Sequence, residues 1–258
     1  MSMQQHKNSS LAILWLTAAI WGFAFVAQRA GMQNIGPFTF NGIRFILGSL
    51  SLLPFLLVKH RHDLLISMSG AIKNGLTAGV ILFLAASLQQ AGMVWTSAGK
   101  AGFITGLYVI IIPVISLIIG QKVNRNIWVG AMLAVAGLFM LTISEKFTIS
   151  SGDYLVLASA VFWAIHVQLI SVMVRTSSTL WLSSIQFLVC GVLSLLTAFF
   201  TEAPDLNRIM NTYIPILYGG MISVGVAYTL QVIAQKHFPP AKAGIILSFE
   251  TVFAVIGG

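Results

Sequence analysis

Three ionisable side chains, Arg44, His166 and Glu250, fall inside long apolar stretches of the sequence. A charge at such depth costs at least about 2.5–3.5 kcal/mol on insertion scales, and is kept where it has a partner or water. Arg44 comes seven residues into its stretch, about 10 Å deep at 1.5 Å per residue. Its guanidinium fork suits a carboxylate or another anion; the structural alternative is snorkelling or a bond to a carbonyl. Asn41 lies one turn earlier on the same helical face. Glu250 is the only acid well inside a span, ten residues after Pro240. It is placed either to couple a proton or to act as the counter-charge of Arg44 or another base. His166 shares a helical face with Trp163 and serves either as a packing residue or in a substrate or proton role. Gln168, two residues on, points about 200° away, so the two cannot face one cavity and one of them is structural.

The elements that carry these groups are membrane helices. Hydrophobic residues make up 57% of the chain and charged residues 8%, against roughly 25% charged in soluble domains. Spans of about 20 apolar residues cross a bilayer, and nine are read: Leu11 to Ala30, Pro37 to Val58, Ile72 to Met93, Ala98 to Ile119, Asn126 to Ile143, Tyr154 to Val174, Leu180 to Thr201, Ile209 to Gln235, and Pro240 to the chain end. The first span lacks a small-residue cleavage site and reads as retained rather than as a signal peptide. Residues 1–10 form a short tail.

The chain also repeats. Lys100-Ala101-Gly102 returns as Lys242-Ala243-Gly244, Gln89 as Gln231, Trp21 as Trp163 and Ala18 as Ala160, each 142 positions later. The two copies are 11–143 and 144–258, and the offset predicts a tenth span near 268–285, so the chain reads as truncated in its second copy. Five spans per copy is an odd number, so the copies are inverted across the membrane. The expected fold is all-α, two inverted five-helix repeats of ten helices, of which about nine are present. Such architectures hold a substrate near the midplane and alternate access to it.

The same offset selects further cavity candidates. Trp21, Phe25 and Gln28 follow helical i, i+4, i+7 spacing, and Trp163 repeats Trp21. Gln186 is the equivalent of Arg44, Tyr108 of Glu250, and Tyr228 of Ala86, while Gln89 and Gln231 form a symmetric polar pair.

A net charge of +8 raises the question of nucleic acid, and loop positions answer it. With the N-terminus in the cytoplasm, nine Lys and Arg (Lys7, Lys59, Arg61, Lys73, Lys122, Arg125, Arg175, Lys236, Lys242) face inward and four (Arg29, Lys100, Lys146, Arg208) outward, while Glu145, Asp153, Glu202 and Asp205 lie outside. This positive-inside bias accounts for the basicity, and no nucleic-acid partner is expected. The partners expected are lipid and a small-molecule substrate, and a homodimer is compatible with the sequence. The protein is expected in the inner or plasma membrane as a multi-pass chain. Cys190 is the only cysteine and reads as packing. No metal-ligand spacing, phosphate loop or nucleophile elbow occurs, and His60 and His62 flank Arg61 in a basic loop, so neither an enzyme nor a cofactor is expected.

Taken in order, Trp21-Gly22, Arg44, the run Thr96-Ser97-Ala98-Gly99-Lys100-Ala101-Gly102-Phe103, Pro113, the set Trp128, Gly130 and Gly137, Trp163, and Glu250-Thr251-Val252-Phe253-Ala254 resemble the drug/metabolite transporter superfamily, in particular its ten-span EamA-type members. The resemblance implies inverted repeats, a central cavity and transport of small metabolites, often amino acids and often outward. Two residues depart from the pattern. Thr251 replaces a usual proline, implying a straighter ninth helix, and Gln121 stands where many members carry glutamate. Small four-span relatives that expel lipophilic cations depend on a glutamate in their first helix, and none occurs between Leu11 and Ala30. The charge balance of Arg44, His166 and Glu250 therefore favours zwitterions or anions over quaternary cations. The alternatives are a facilitator or channel for small metabolites, or multidrug efflux of lipophilic compounds.

Overall fold

The computed structural model describes residues 3–59, 64–142 and 149–257. The loop of His60, Arg61 and His62, the pair Glu145 and Lys146, and the side chains of Lys7 and Lys59 lie outside what is described. Among the described residues the chain is helical with no strand.

Among the described residues nine longer helical segments follow in order, with one short helix between the seventh and the eighth. They are α1 (Met3–Gly31), α2 (Pro37–Ser51, continued by Leu53–Lys59), α3 (Leu64–Gly92), α4 (Ala98–Gly106 and Tyr108–Ile118), α5 (Arg125–Thr142), α6 (Ser151–Met173), α7 (Thr179–Thr201), α8 (Tyr213–Leu217, Tyr218–Tyr228 and Thr229–Gln235) and α9 (Pro240–Leu247 and Glu250–Gly257). Eight are long and apolar enough to cross a membrane, and α5 is shorter, with its apolar part at Arg125–Met140. The expected ninth-helix boundaries hold, but three other spans shift. Helix α1 already begins at Met3 within the expected tail, α3 starts at Leu64, and the stretch expected to begin at Ile209 is split. Asp205 caps a separate helix, Leu206–Asn211, by accepting from the Arg208 N–H at 2.9 Å, which satisfies an amide that a longer helix would have paired internally.

Contacts between helices follow a pseudo-twofold relation. Helix α3 packs on α6 as α8 packs on α1, and α3 packs on α7 as α8 packs on α2. Helices α2 and α7 cross each other, and α4 crosses α9, so both of these crossings lie on the axis. Small residues bring the backbones together. Gly75 and Gly79 of α3 face Ile185 and Val189 of α7, and Gly42 of α2 faces Leu195 of α7. At the α3–α6 crossing, a Cβ on Gly92 would lie 2.6 Å from the Gly152 carbonyl oxygen. That is backbone against backbone, with no side-chain rotamer free to yield. Gly92→Val should therefore cost more than the roughly 1–3 kcal/mol of ordinary overpacking. Its thermal midpoint, read by fluorescence-detected size exclusion, should fall by several degrees; an unchanged midpoint would contradict this crossing.

Helices α4 and α9 are interrupted at equivalent places. The first half of α4 ends at Gly106 and the second resumes at Tyr108; in α9 the halves end at Leu247 and resume at Glu250. Leu107 and Ser248 carry nearly the same backbone angles, φ −61° with ψ −14° and φ −61° with ψ −15°. Pro113 leaves its half of α4 intact, and the interruption comes earlier. The straighter ninth helix implied by Thr251 does not occur. The Thr251 N–H bonds back three residues to the Ser248 carbonyl at 3.2 Å, a tightening that needs no proline, and its hydroxyl donates to the Gly102 carbonyl of α4 at 2.8 Å.

Candidate functional site

The two interruptions bring Tyr108 and Glu250 together. The Tyr108 hydroxyl donates to Glu250 Oε1 at 3.1 Å, a bond between residues 142 apart. They are repeat equivalents, so this bond sits on the pseudo-twofold axis. Phe45 and Phe187 are a second equivalent pair in contact, with ring centroids 6.4 Å apart. One copy thus supplies a phenol and the other a carboxylate at the same structural position. Of the alternatives for Glu250, the role of counter-charge to Arg44 is not realised among the described residues.

Arg44 is 1% exposed. Its Nε donates to Asn41 Oδ1 at 2.9 Å, and Asn41 Nδ2 in turn donates to the Ala86 carbonyl at 3.1 Å, fixing the amide with its oxygen toward the cation. The guanidinium carbon lies 4.8 Å from the Phe45 ring centroid and 5.7 Å from that of Phe40, giving cation–π stabilisation. No carboxylate pairs with it among the described residues. A buried cation without a counter-charge is an expensive arrangement.

Arg44 and Glu250 line the same cavity, together with Trp21, Phe25, Gln28, Gln89, Tyr108, Trp163, Tyr228 and Gln231. The cavity is narrow, with about 30 Å³ of free space, roughly enough for two waters. Tyr228 anchors its ring-lined middle, 4.5 Å from the Trp21 centroid and 5.9 Å from that of Trp163. Several polar atoms here are buried without a partner: both indole nitrogens, Gln28 Oε1, and the amide nitrogen and oxygen of Gln231. Gln89 is engaged, donating to Thr105 Oγ1 at 2.9 Å. The wall therefore offers two indole donors and uncommitted amide groups to an occupant.

Three candidates stand behind the wall rather than in it. Asn41 orients Arg44. His166 Nε2 and Gln186 Oε1 meet at 2.8 Å and are fully buried, so this pair links α6 to α7 rather than facing the cavity. Gln168 is also structural, donating to the Ile112 carbonyl at 3.1 Å and the Ser116 hydroxyl at 2.5 Å. His166 and Gln168 point different ways, as their spacing requires, and neither lines the cavity; for His166 the packing alternative is the one realised.

Five lining residues were not anticipated: Ala24, Thr105, Val167, Ser223 and Leu247. The offset held a signal for two of them, since Val167 is the equivalent of Phe25 and Ala24 of His166. Ser223 belongs to a π-helical stretch, Tyr218–Tyr228, whose changed period turns side chains off an α-helical face. Gly219 in that stretch lies against the Arg44 side chain.

The profile of the EamA-like transporter family matches residues 9–143 and 150–258. The chain is 32% identical over 243 residues to an uncharacterized transporter of Archaeoglobus fulgidus, covering 93% of this chain and 74% of that protein. It is 22% identical over 246 residues to the uncharacterized transporter YoaV of Bacillus subtilis, covering 93% and 84%. It is 24% identical over 252 residues to the uncharacterized inner membrane transporter YedA of Escherichia coli, covering 93% and 78%. One solved structure, described as "Crystal structure of protein", superposes with a TM-score of 0.81 at 16% identity, covering 96% of this chain and 86% of that one.

Proposed function

Because the chain belongs to the EamA-like transporter family, a family of multi-pass membrane proteins, we propose that it moves amino acids or related zwitterions and anions outward across the cytoplasmic membrane by alternating access, with its N-terminus in the cytoplasm. The observation that carries this reading is that Arg44 and Glu250 line one cavity yet are not paired with each other. An occupant with a carboxylate at one end and an ammonium at the other would satisfy both poles, and its side chain would lie on the rings of Trp21, Trp163 and Tyr228.

Alternating access is supported by the near-closed cavity, which has no room for such a solute until the helices part. Counterflow in proteoliposomes tests it. With L-phenylalanine loaded inside, labelled L-phenylalanine outside should accumulate transiently above equilibrium, and initial flux should saturate. Linear flux without accumulation would identify a channel or facilitator instead.

A further inference from the structure

A vestibule opens at each face of the protein, and the two are related by the repeat. On the face opposite the N-terminus, a space of about 550 Å³ is bounded by Arg29, Gln33 and the segment 94–99 between α3 and α4. On the N-terminal face, a space of about 420 Å³ is bounded by Ser171, Arg175 and the segment 235–240 between α8 and α9. Adding the 142-residue offset to Gln33 gives Arg175, and adding it to Val94 gives Lys236. The inverted fold thus builds the same mouth twice.

The charges differ between the two mouths. In the opposite-face vestibule the one cation is Arg29, whose guanidinium is spent on the carbonyls of Met93 and Val94 at the end of α3. In the N-terminal vestibule Arg175 and Lys236 both line the space, with His237 as the remaining titratable group, and no carboxylate lines it. Gln235 lines this vestibule and donates at 3.0 Å to the carbonyl of Val167, which lines the central cavity.

We propose that the vestibule between Arg175 and Lys236 is a loading site that captures the substrate's carboxylate before it passes to Arg44, and that the less basic counterpart is the release mouth. The proposal rests on the reading of Arg44 as a carboxylate anchor. It gives the transporter a direction: solutes bearing a carboxylate are concentrated at the N-terminal face by local field and meet a weaker one at the other, where the one lining cation, Arg29, is held by backbone carbonyls. The same charge pattern on a positive-inside protein would arise with no substrate role, and the experiment separates the two.

Labelled L-phenylalanine flux is measured in phosphatidylcholine vesicles sorted by accessibility of an N-terminal tag. The double variant Arg175→Gln with Lys236→Gln should raise the half-saturating concentration at the N-terminal face roughly fivefold, the effect of two exposed charge contacts. The opposite face should be unchanged, and Arg175→Lys with Lys236 retained, which keeps both charges, should keep the wild-type value. In the unmodified protein, raising salt from about 0.05 to about 0.5 M should weaken apparent affinity at the N-terminal face alone. Equal effects at both faces, no effect, or an effect confined to vesicles of anionic lipid would overturn the loading site. If Arg44→Gln leaves L-phenylalanine binding intact, the underlying reading falls. If Arg44 is required but the N-terminal face is insensitive to both charge removal and salt, only the loading site falls.

Discussion

Arg44→Gln should abolish the stabilisation of the protein by carboxylate-bearing ligands while leaving the ligand-free protein at least as stable. The guanidinium is buried, held by one bond to Asn41 and by the faces of Phe40 and Phe45, with no acid beside it among the described residues. Its burial is therefore a cost in the empty protein that a bound carboxylate offsets. Removing one partner of such a buried pair costs about 3–5 kcal/mol, so affinity should fall at least about 100-fold. Glutamine can still reach Asn41 by hydrogen bond, so the local network survives. The check is a pair of thermal midpoints with and without L-phenylalanine. A variant that unfolds at markedly lower temperature yet keeps the full ligand-induced shift would show that Arg44 is a structural residue.

Glu250→Gln tests the other pole. The amide oxygen can still accept from the Tyr108 hydroxyl, whose bond to the carboxylate is 3.1 Å, so the α4–α9 crossing should remain. What is lost is a charged acceptor, worth about 1.5–3 kcal/mol in a hydrogen bond. L-Phenylalanine affinity should fall by about ten- to 100-fold, while 3-phenylpropionate, which has no ammonium, should bind as well as before. Tyr108→Phe keeps the carboxylate and removes only its neutral donor, so its effect should be smaller. Isothermal titration of both ligands into both variants separates these outcomes. Equal losses for the two ligands in Glu250→Gln would mean that the acid supports the fold rather than the ammonium.

Which parts of this site were legible in the chain follows from what a repeat offset and an apolar pattern can carry. The duplication, the inverted frame and most of the cavity wall could be read because Trp, Gln and Tyr are rare in an apolar background and recur in register. Even the on-axis contact was implicit, since Tyr108 and Glu250 occupy one position in the two copies. What the pattern could not carry was rotation about each helix axis. His166 sits at the right depth, but its ring meets Gln186 of α7, a tertiary choice that periodicity leaves open. Ser223 was hidden for a related reason, because the α-helical period used to read faces fails in the π-helical Tyr218–Tyr228. Arg44 and Glu250 were found individually, but their separation was not. Depth along two helices does not fix the distance between side chains, and it is Tyr108, not a base, that meets Glu250.

The two-pole cavity is tested most directly by the thermal midpoint of the unmodified protein with three ligands of one size: L-phenylalanine, 3-phenylpropionate and phenethylamine. They share the ring and differ in which charged ends they carry. With Arg44 and Glu250 both engaged, L-phenylalanine should raise the midpoint most, 3-phenylpropionate less, and phenethylamine least, since the cation of Arg44 would remain without a counter-charge beside it. Phenethylamine or a quaternary ammonium compound stabilising the protein as strongly as L-phenylalanine would contradict the two-pole cavity and indicate a site for lipophilic cations.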